Sequence, residues 1–364
     1  MNRWRALPSV LSVIAALLLC FFAVALTRGG LGIAFDSYAA MVWGAFGDWP
    51  RFFDGANASV LLRPLGEAGT KAALLTLTGL SVAVAFRVGL FNIGAQGQMM
   101  VGALAAAVCG AAFSLPAIVH VPLCLLVAAV TGALYALIAA ELKRRRGVHE
   151  VISTIMLNWV AAALVENWLV VGPLRGSASG DNSVSGTAEV LPSATLPLLL
   201  GDSSRLNFGF LLALLLAVTL GVWLQRTRHG YEWRAVGLAP EAARAAGINV
   251  GRRMLEAMAV AGALAGLAGA VLVLGTEHKY PATLGAPYGF DGIAMALIGQ
   301  GHPLGVLASA GLFGALRAGG TRMQLFGVHK SFPELIQGLA LLMVAGKLVW
   351  ERLLSRVFRK ELGT

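Results

Sequence analysis

Three side-chain amides and three glycines stand between two apolar runs of membrane length. They occupy Arg87-Val88-Gly89-Leu90-Phe91-Asn92-Ile93-Gly94-Ala95-Gln96-Gly97-Gln98. Glycines lower helix propensity, and buried Asn and Gln amides demand hydrogen-bond partners. Unwound backbone at membrane depth survives only where protein buries it or a water-filled cavity meets it. A second interruption, Gly299-Gln300-Gly301-His302-Pro303, follows the short apolar stretch Phe290–Ile298. The two interruptions fall in comparable places in the two halves, a pattern that points to a transport pathway. Asn158, Glu166 and Asn167 are polar residues within another span, and Asp291 stands near the start of the second broken segment. Intramembrane polar residues face a bundle interior and mark function by default.

Other chemistries find little support. His149-Glu150 begins a zinc-protease pattern, but position 153 is serine where the second histidine is needed. Cys20, Cys109 and Cys124 all sit in apolar runs without CxxC spacing and read as small core residues. No GxxxxGK[ST] phosphate loop occurs: Gly66 to Lys71 has the wrong spacing, and Gly346-Lys347 is followed by leucine. GxSxG is missing as well, and no His/Asp cluster stands out.

The longest charge-rich segment is Arg226–Arg253, between two strongly apolar runs. Inside it, Pro240 to Ala246 reads as a short helix closed by Gly247. Proline suits the first helical position, Glu241 adds an acid to the first turn, and glycine supplies a left-handed stop. So short a helix is unstable alone and needs a surface to dock on. The segment reads either as a solvated basic loop or as a docking helix that passes motion from a cytosolic motor to membrane helices.

Around these features the chain is 57% hydrophobic and 13% charged over 364 residues; soluble domains carry about 25% charged residues. Successive apolar runs predict an all-α, polytopic integral membrane bundle of about ten spans, broken or re-entrant helices included. It reads as a single transmembrane domain over 1–364. Within it lie an aromatic-rich outer interfacial segment (28–65), an external loop (172–205) and the cytoplasmic loop 226–253. Arg3 and Arg5 before the apolar run Leu7–Leu26 predict an uncleaved first span, although Ala23-Val24-Ala25 resembles a signal-peptide cleavage site. Pro333–Trp350 reads as the last span, with Arg352, Arg356, Arg359 and Lys360 beyond it. Of 28 Lys and Arg, 17 fall on one side with both termini, which places the termini in the cytoplasm. The net charge of +10 reflects this topology and some affinity for anionic membrane lipid, not a nucleic-acid stripe.

Four motifs in order carry a resemblance. They are Phe91–Met99, Glu150–Asn158 (EVISTIMLN), Pro240–Ile248 (PEAARAAGI) and Gly289–Ala294 (GFDGIA). Together they resemble the permease family of bacterial ABC importers for nucleosides, related to ribose and other simple-sugar permeases, from about Gly66 to Lys347. The resemblance implies a non-enzymatic permease of the inner membrane that binds no cofactor, with ATP used by a partner ATPase. It also implies a second, similar permease subunit and an external substrate-binding lipoprotein. On this reading Pro240, Glu241, Ala242, Ala243, Arg244 and Gly247 form the coupling helix for the ATPase. Phe91, Asn92, Gln96, Gln98, Asn158, Asp291 and Gln300 are the candidate substrate pathway. There Asn and Gln suit hydroxyls or base edges, and Phe91 suits stacking; both sets also suit plain packing and bracing.

Two positions depart from the family pattern: Gln96 where glutamate is frequent, and Ala239 where asparagine caps the coupling helix. A sugar permease is the nearest alternative. A stand-alone secondary transporter using an acid such as Glu166, and then a membrane-embedded enzyme, rank below it.

Overall fold

The computed structural model describes residues 7–28, 30–176, 186–285, 287–329 and 331–346. Arg3, Arg5, residues 177–185 of the expected external loop, and the basic C-terminal positions from Lys347 onward lie outside the described residues.

Long apolar stretches become helices because a helix satisfies its own backbone polar groups. In chain order they are α1 (Leu7–Arg28), α2 (Leu31–Phe46), α3 (Trp49–Phe53), α4 (Ser59–Arg87), α5 (Ala95–Ala112), α6 (Ala117–Arg146) and α7 (Glu150–Ala161). There follow α8 (Phe208–Arg226), α9 (Arg228–Leu238), α10 (Pro240–Ala245), α11 (Val250–Leu272), α12 (Tyr288–Ile298), α13 (Pro303–Met323) and α14 (Phe332–Ala345). Among the described residues seven helical stretches are long and apolar enough to cross a membrane, and three further apolar helices are shorter. No strand is longer than an isolated bridge among them. The chain is a multi-pass, all-α membrane protein.

The chain divides into two compact units, one from residues 1–68 with 312–364, the other Gly69–Gly311. In the first, α2 folds back along α1. The Tyr38 hydroxyl donates to the Leu17 carbonyl at 2.8 Å, and Phe21 packs edge-on against Phe35 and Tyr38. Segment 28–65 therefore carries a helical hairpin partner before the aromatic turn α3, whose Phe53 is exposed. Arg322 pairs with the buried Asp48 at 3.2 Å.

In the second unit α5 and α11 are largely buried, whereas α6, α7 and α8 keep outward faces of Leu, Ile, Val and Trp. The seam of α5, α6 and α11 is built on glycine. A Cβ at Gly132 would strike the Gly262 carbonyl oxygen, and one at Gly266 the Ala128 carbonyl oxygen. Small residues at a helix interface let backbones approach this closely. The Gly262-xxx-Gly266 face is thus used against α6. Beyond Ala161 and Leu272 both α7 and α11 continue as π-helical turns, Ala162–Val170 and Val273–Glu277.

Candidate functional site

The first interruption is helical up to Arg87, leaves the helix from Val88 to Gly94, and resumes at Ala95. Gln96 and Gln98 therefore stand in the first turn of α5 instead of in unwound backbone, a shorter break than residue types alone indicate. The reason is a set of side chains that replace the missing helical hydrogen bonds. Asn92, fully buried, donates from Nδ2 to Gln98 Oε1 at 2.9 Å and to Ser81 Oγ at 3.2 Å. Gln98 Nε2 donates back to Asn92 Oδ1 at 2.9 Å, and the Gly94 N–H donates to the same oxygen at 3.1 Å. The two amides close on each other, which satisfies both in an apolar surrounding.

Helix α7 supplies the rest from one face. Asn158 Nδ2 donates to the Ile93 carbonyl at 2.9 Å, and its Oδ1 accepts from the Gly97 N–H at 2.8 Å. That amide is one of the unpaired donors at the start of α5, so Asn158 caps the helix from outside it. Two turns earlier, buried Glu150 accepts from the Phe91 N–H at 3.4 Å and pairs with Lys143 at 2.5 Å. Between them, a Cβ at Gly94 would lie 3.1 Å from Thr154 Cβ. Residues 150, 154 and 158 thus form one stripe at i, i+4, i+8 that holds the break. Phe91 packs on Phe86 with ring centroids 4.9 Å apart and is only partly covered.

The short helix before the second interruption meets the start of α5. Gln96 Oε1 accepts from the Gly289 N–H at 2.8 Å, at the start of α12. A Cβ at Gly289 would collide with the Gln96 backbone, and one at Gly292 would lie 2.6 Å from the Thr78 carbonyl carbon. Glycines at 289 and 292 thus let α12 lie against α4 and α5. Asp291 occupies the first turn of α12, where an acid complements the helix dipole. At the other end Gln300 (φ 53°) and Gly301 (φ 63°) turn the chain into α13, and Arg87 Nη2 donates to the Gly301 carbonyl at 2.6 Å. Phe86, Arg87, Ala296, Leu297, Gln300 and Gly301 line a cavity of about 230 Å³. Small-molecule pockets run to about 300–1,000 Å³, so this one is smaller than a usual solute site.

The interruption between α8 and α11 contains two helices. In α9, Trp233 and Glu232 are buried, and Glu232 pairs with Arg228 at 2.8 Å and with Arg253 at 2.5 Å. The Arg228 guanidinium, hydrogen-bonded to Glu232, holds that carboxyl below the usual carboxylate range, and Arg253 adds to the effect. The short helix read from the sequence forms over Pro240–Ala245. Its N-terminal residue Ala239 provides no side-chain cap, and Gly247 at φ 80° ends it, with the Ile248 N–H donating to the Ala243 carbonyl at 3.0 Å. Ala243 is buried, while Glu241 and Arg244 pair with each other at 2.6 Å on the exposed face. Leu238, at the corner between α9 and α10, is 87% exposed.

All seven pathway candidates lie in the 69–311 unit: Asn92 and Gln98 pair with each other, Asn158 braces the backbone at Ile93 and Gly97, and Gln96 reaches the start of α12 at Gly289. Arg87, Glu150 and Gly237 join the site although none is among the candidates the sequence offers; for Glu150 the legible signal is its spacing of eight residues from Asn158 on one helix face. Glu166, the acid a secondary transporter would use, accepts from the Leu284 N–H at 2.8 Å and the Tyr280 hydroxyl at 3.3 Å.

The family described as the branched-chain amino acid transport system / permease component matches residues 66–345, a stretch that holds both interruptions and the α9–α10 loop. The chain belongs to this family. As a member of this permease family it has curated relatives that cover most of its length. It is 38% identical to the guanosine ABC transporter permease protein NupP of Bacillus subtilis over 81% of this chain and 85% of the relative. To the nucleoside ABC transporter permease protein NupB of Lactococcus lactis it is 32% identical, over 81% and 82%. To the glucose ABC transporter permease protein TsgB13 of Haloferax volcanii it is 35% identical, over 77% and 75%. No solved structure matches this permease.

Proposed function

We propose that this permease carries nucleosides across a bacterial inner membrane as one membrane subunit of an ATP-driven importer. The observation that carries the reading is the Gln96–Gly289 hydrogen bond, which joins the two interrupted helices at one buried place. The relatives named for guanosine and nucleoside transport supply the substrate class. Asn92, Gln96, Gln98, Asn158, Asp291, Gln300 and Phe91 line or brace the path. The Asn92 and Gln98 amides, paired with each other, exchange these hydrogen bonds for the solute's hydroxyls and base edges as it passes.

Energy comes from a separate ATPase that uses ATP; this chain supplies no phosphate loop and holds no cofactor. Pro240, Glu241, Ala242, Ala243, Arg244 and Gly247 form the lever that docks on that ATPase. A second, similar permease completes the pathway, and an external lipoprotein delivers solute. Both termini lie in the cytoplasm, in keeping with the side on which 17 of 28 basic residues fall. Reporter fusions at each terminus test that orientation.

The deciding experiment reconstitutes the chain with its ATPase, a second permease and a substrate-binding lipoprotein from the same organism. Labelled guanosine should enter proteoliposomes only with ATP, and should still enter after the ion gradient is collapsed. The glucose-permease relative favours a second reading, and guanosine-insensitive uptake of glucose in the same assay would establish that one instead.

A further inference from the structure

Arg87 ends α4 at a point where three pieces of chain converge. Its guanidinium reaches the second interruption through the Gly301 carbonyl, 2.6 Å from Nη2. Its own backbone is the last helical residue before the first interruption. Against that backbone lies Gly237 of α9: a Cβ there would collide with the Arg87 carbonyl oxygen and come within 3.1 Å of the Gly89 N–H nitrogen. Gly89, at φ 75°, lies against Gly237 in turn, so the contact is main chain on main chain. Three residues beyond Gly237, α10 begins at Pro240.

Backbone packed on backbone has no rotamers with which to absorb a displacement, so a shift of α9 is delivered to residues 87–89 undiminished. The Arg87 guanidinium links the same stretch to Gly301, on which the second interruption turns, through a single short hydrogen bond. At their other ends the same two segments are tied by Gln96 and Gly289.

We propose that Arg87 is the positioning residue through which the α9–α10 loop moves both interrupted helices together. The inference rests on the reading of the chain as an ATP-driven permease. Tested in the complete reconstituted importer, it predicts the amount of solute moved per ATP hydrolysed. Arg87→Gln should lower that ratio at least tenfold, and Arg87→Lys, which keeps the charge but loses the fork, should fall between. Gly237→Ala should lower it as well. A purely structural role would lower assembly and leave the ratio of the assembled complex at its native value.

As a second readout, spin labels at Tyr231→Cys on α9 and Leu304→Cys on α13 report the distance between loop and second interruption. In the native background ATP binding should leave that distance nearly constant while both sites move. In Arg87→Gln the two should part and the distance distribution should change. A native transport-to-hydrolysis ratio and a native distance distribution in Arg87→Gln would overturn the proposal. If that variant fails to assemble, Gly237→Ala decides by the same two measurements. Failure of the native complex to couple ATP to uptake would instead remove the functional reading beneath it.

Discussion

Replacing Asn158 separates bracing from solute contact. Its amide satisfies two backbone groups of the first interruption, the Gly97 N–H at 2.8 Å and the Ile93 carbonyl at 2.9 Å, and the side chain is buried. Asn158→Ala strands both, and each buried backbone group left without a partner costs about 1–3 kcal/mol. Water entering the vacated space recovers part of that, so about 2–4 kcal/mol in total is expected. In a protein of this size such a loss lowers the unfolding midpoint by on the order of 5 °C. Asn158→Asp keeps the acceptor for Gly97 and loses only the donor to Ile93, at the price of a buried charge facing a carbonyl. It should be at least as damaging as Ala at neutral pH and should recover towards acid pH, where the protonated carboxyl donates again. The measurement is tryptophan-monitored thermal unfolding of the purified chain in detergent, with solute uptake by the reconstituted importer alongside. An unchanged midpoint for Asn158→Ala, with uptake lost, would refute the bracing role and make Asn158 a direct solute contact.

Further outcomes follow from the same geometry. Gly132→Ala should prevent stable accumulation in membranes, because its methyl would meet the Gly262 carbonyl oxygen in a seam with nothing flexible to yield; native yield and midpoint would contradict this. Glu241→Ala with Arg244→Ala removes an exposed ion pair worth about 0–1 kcal/mol, so the midpoint should hold while co-purification of the ATPase and uptake both fall. Glu232 has a lowered carboxyl pKa in the folded state. Its contribution to stability is therefore complete above the usual value of 4.5 and is lost as pH falls through the lowered folded value. The midpoint difference between the native chain and Glu232→Gln should be constant from pH 7 to 5 and shrink below that. A difference that grows on acidification would reverse the sign of the argument.

The class of fold was legible because membrane helices announce themselves through length and apolar content, and Pro240 with Gly247 bracketed α10 through the backbone demands of those two residues. Both interruptions were legible from glycine and amide content. What could not be read was which partner each amide takes. Asn92 and Gln98 are six apart and close on each other, but Gln96 reaches 193 residues along the chain to Gly289, a pairing that no local pattern encodes. Likewise the contacts of Arg87 are with Gly301 and Gly237, more than a hundred residues away, where no local pattern points. The extent of the first interruption was overread for the same reason: Asn158 completes the first turn of α5 from another helix.

The glycine seam of α5, α6 and α11 has a mechanical consequence. Three helices whose main chains touch at Gly132, Gly262 and Gly266 cannot slide or rotate past one another without carbonyl oxygens running into α-carbons. They form a fulcrum of fixed geometry. Any rearrangement of this unit therefore carries the three helices as one body, and room for substitution lies on the faces turned away from their shared seam.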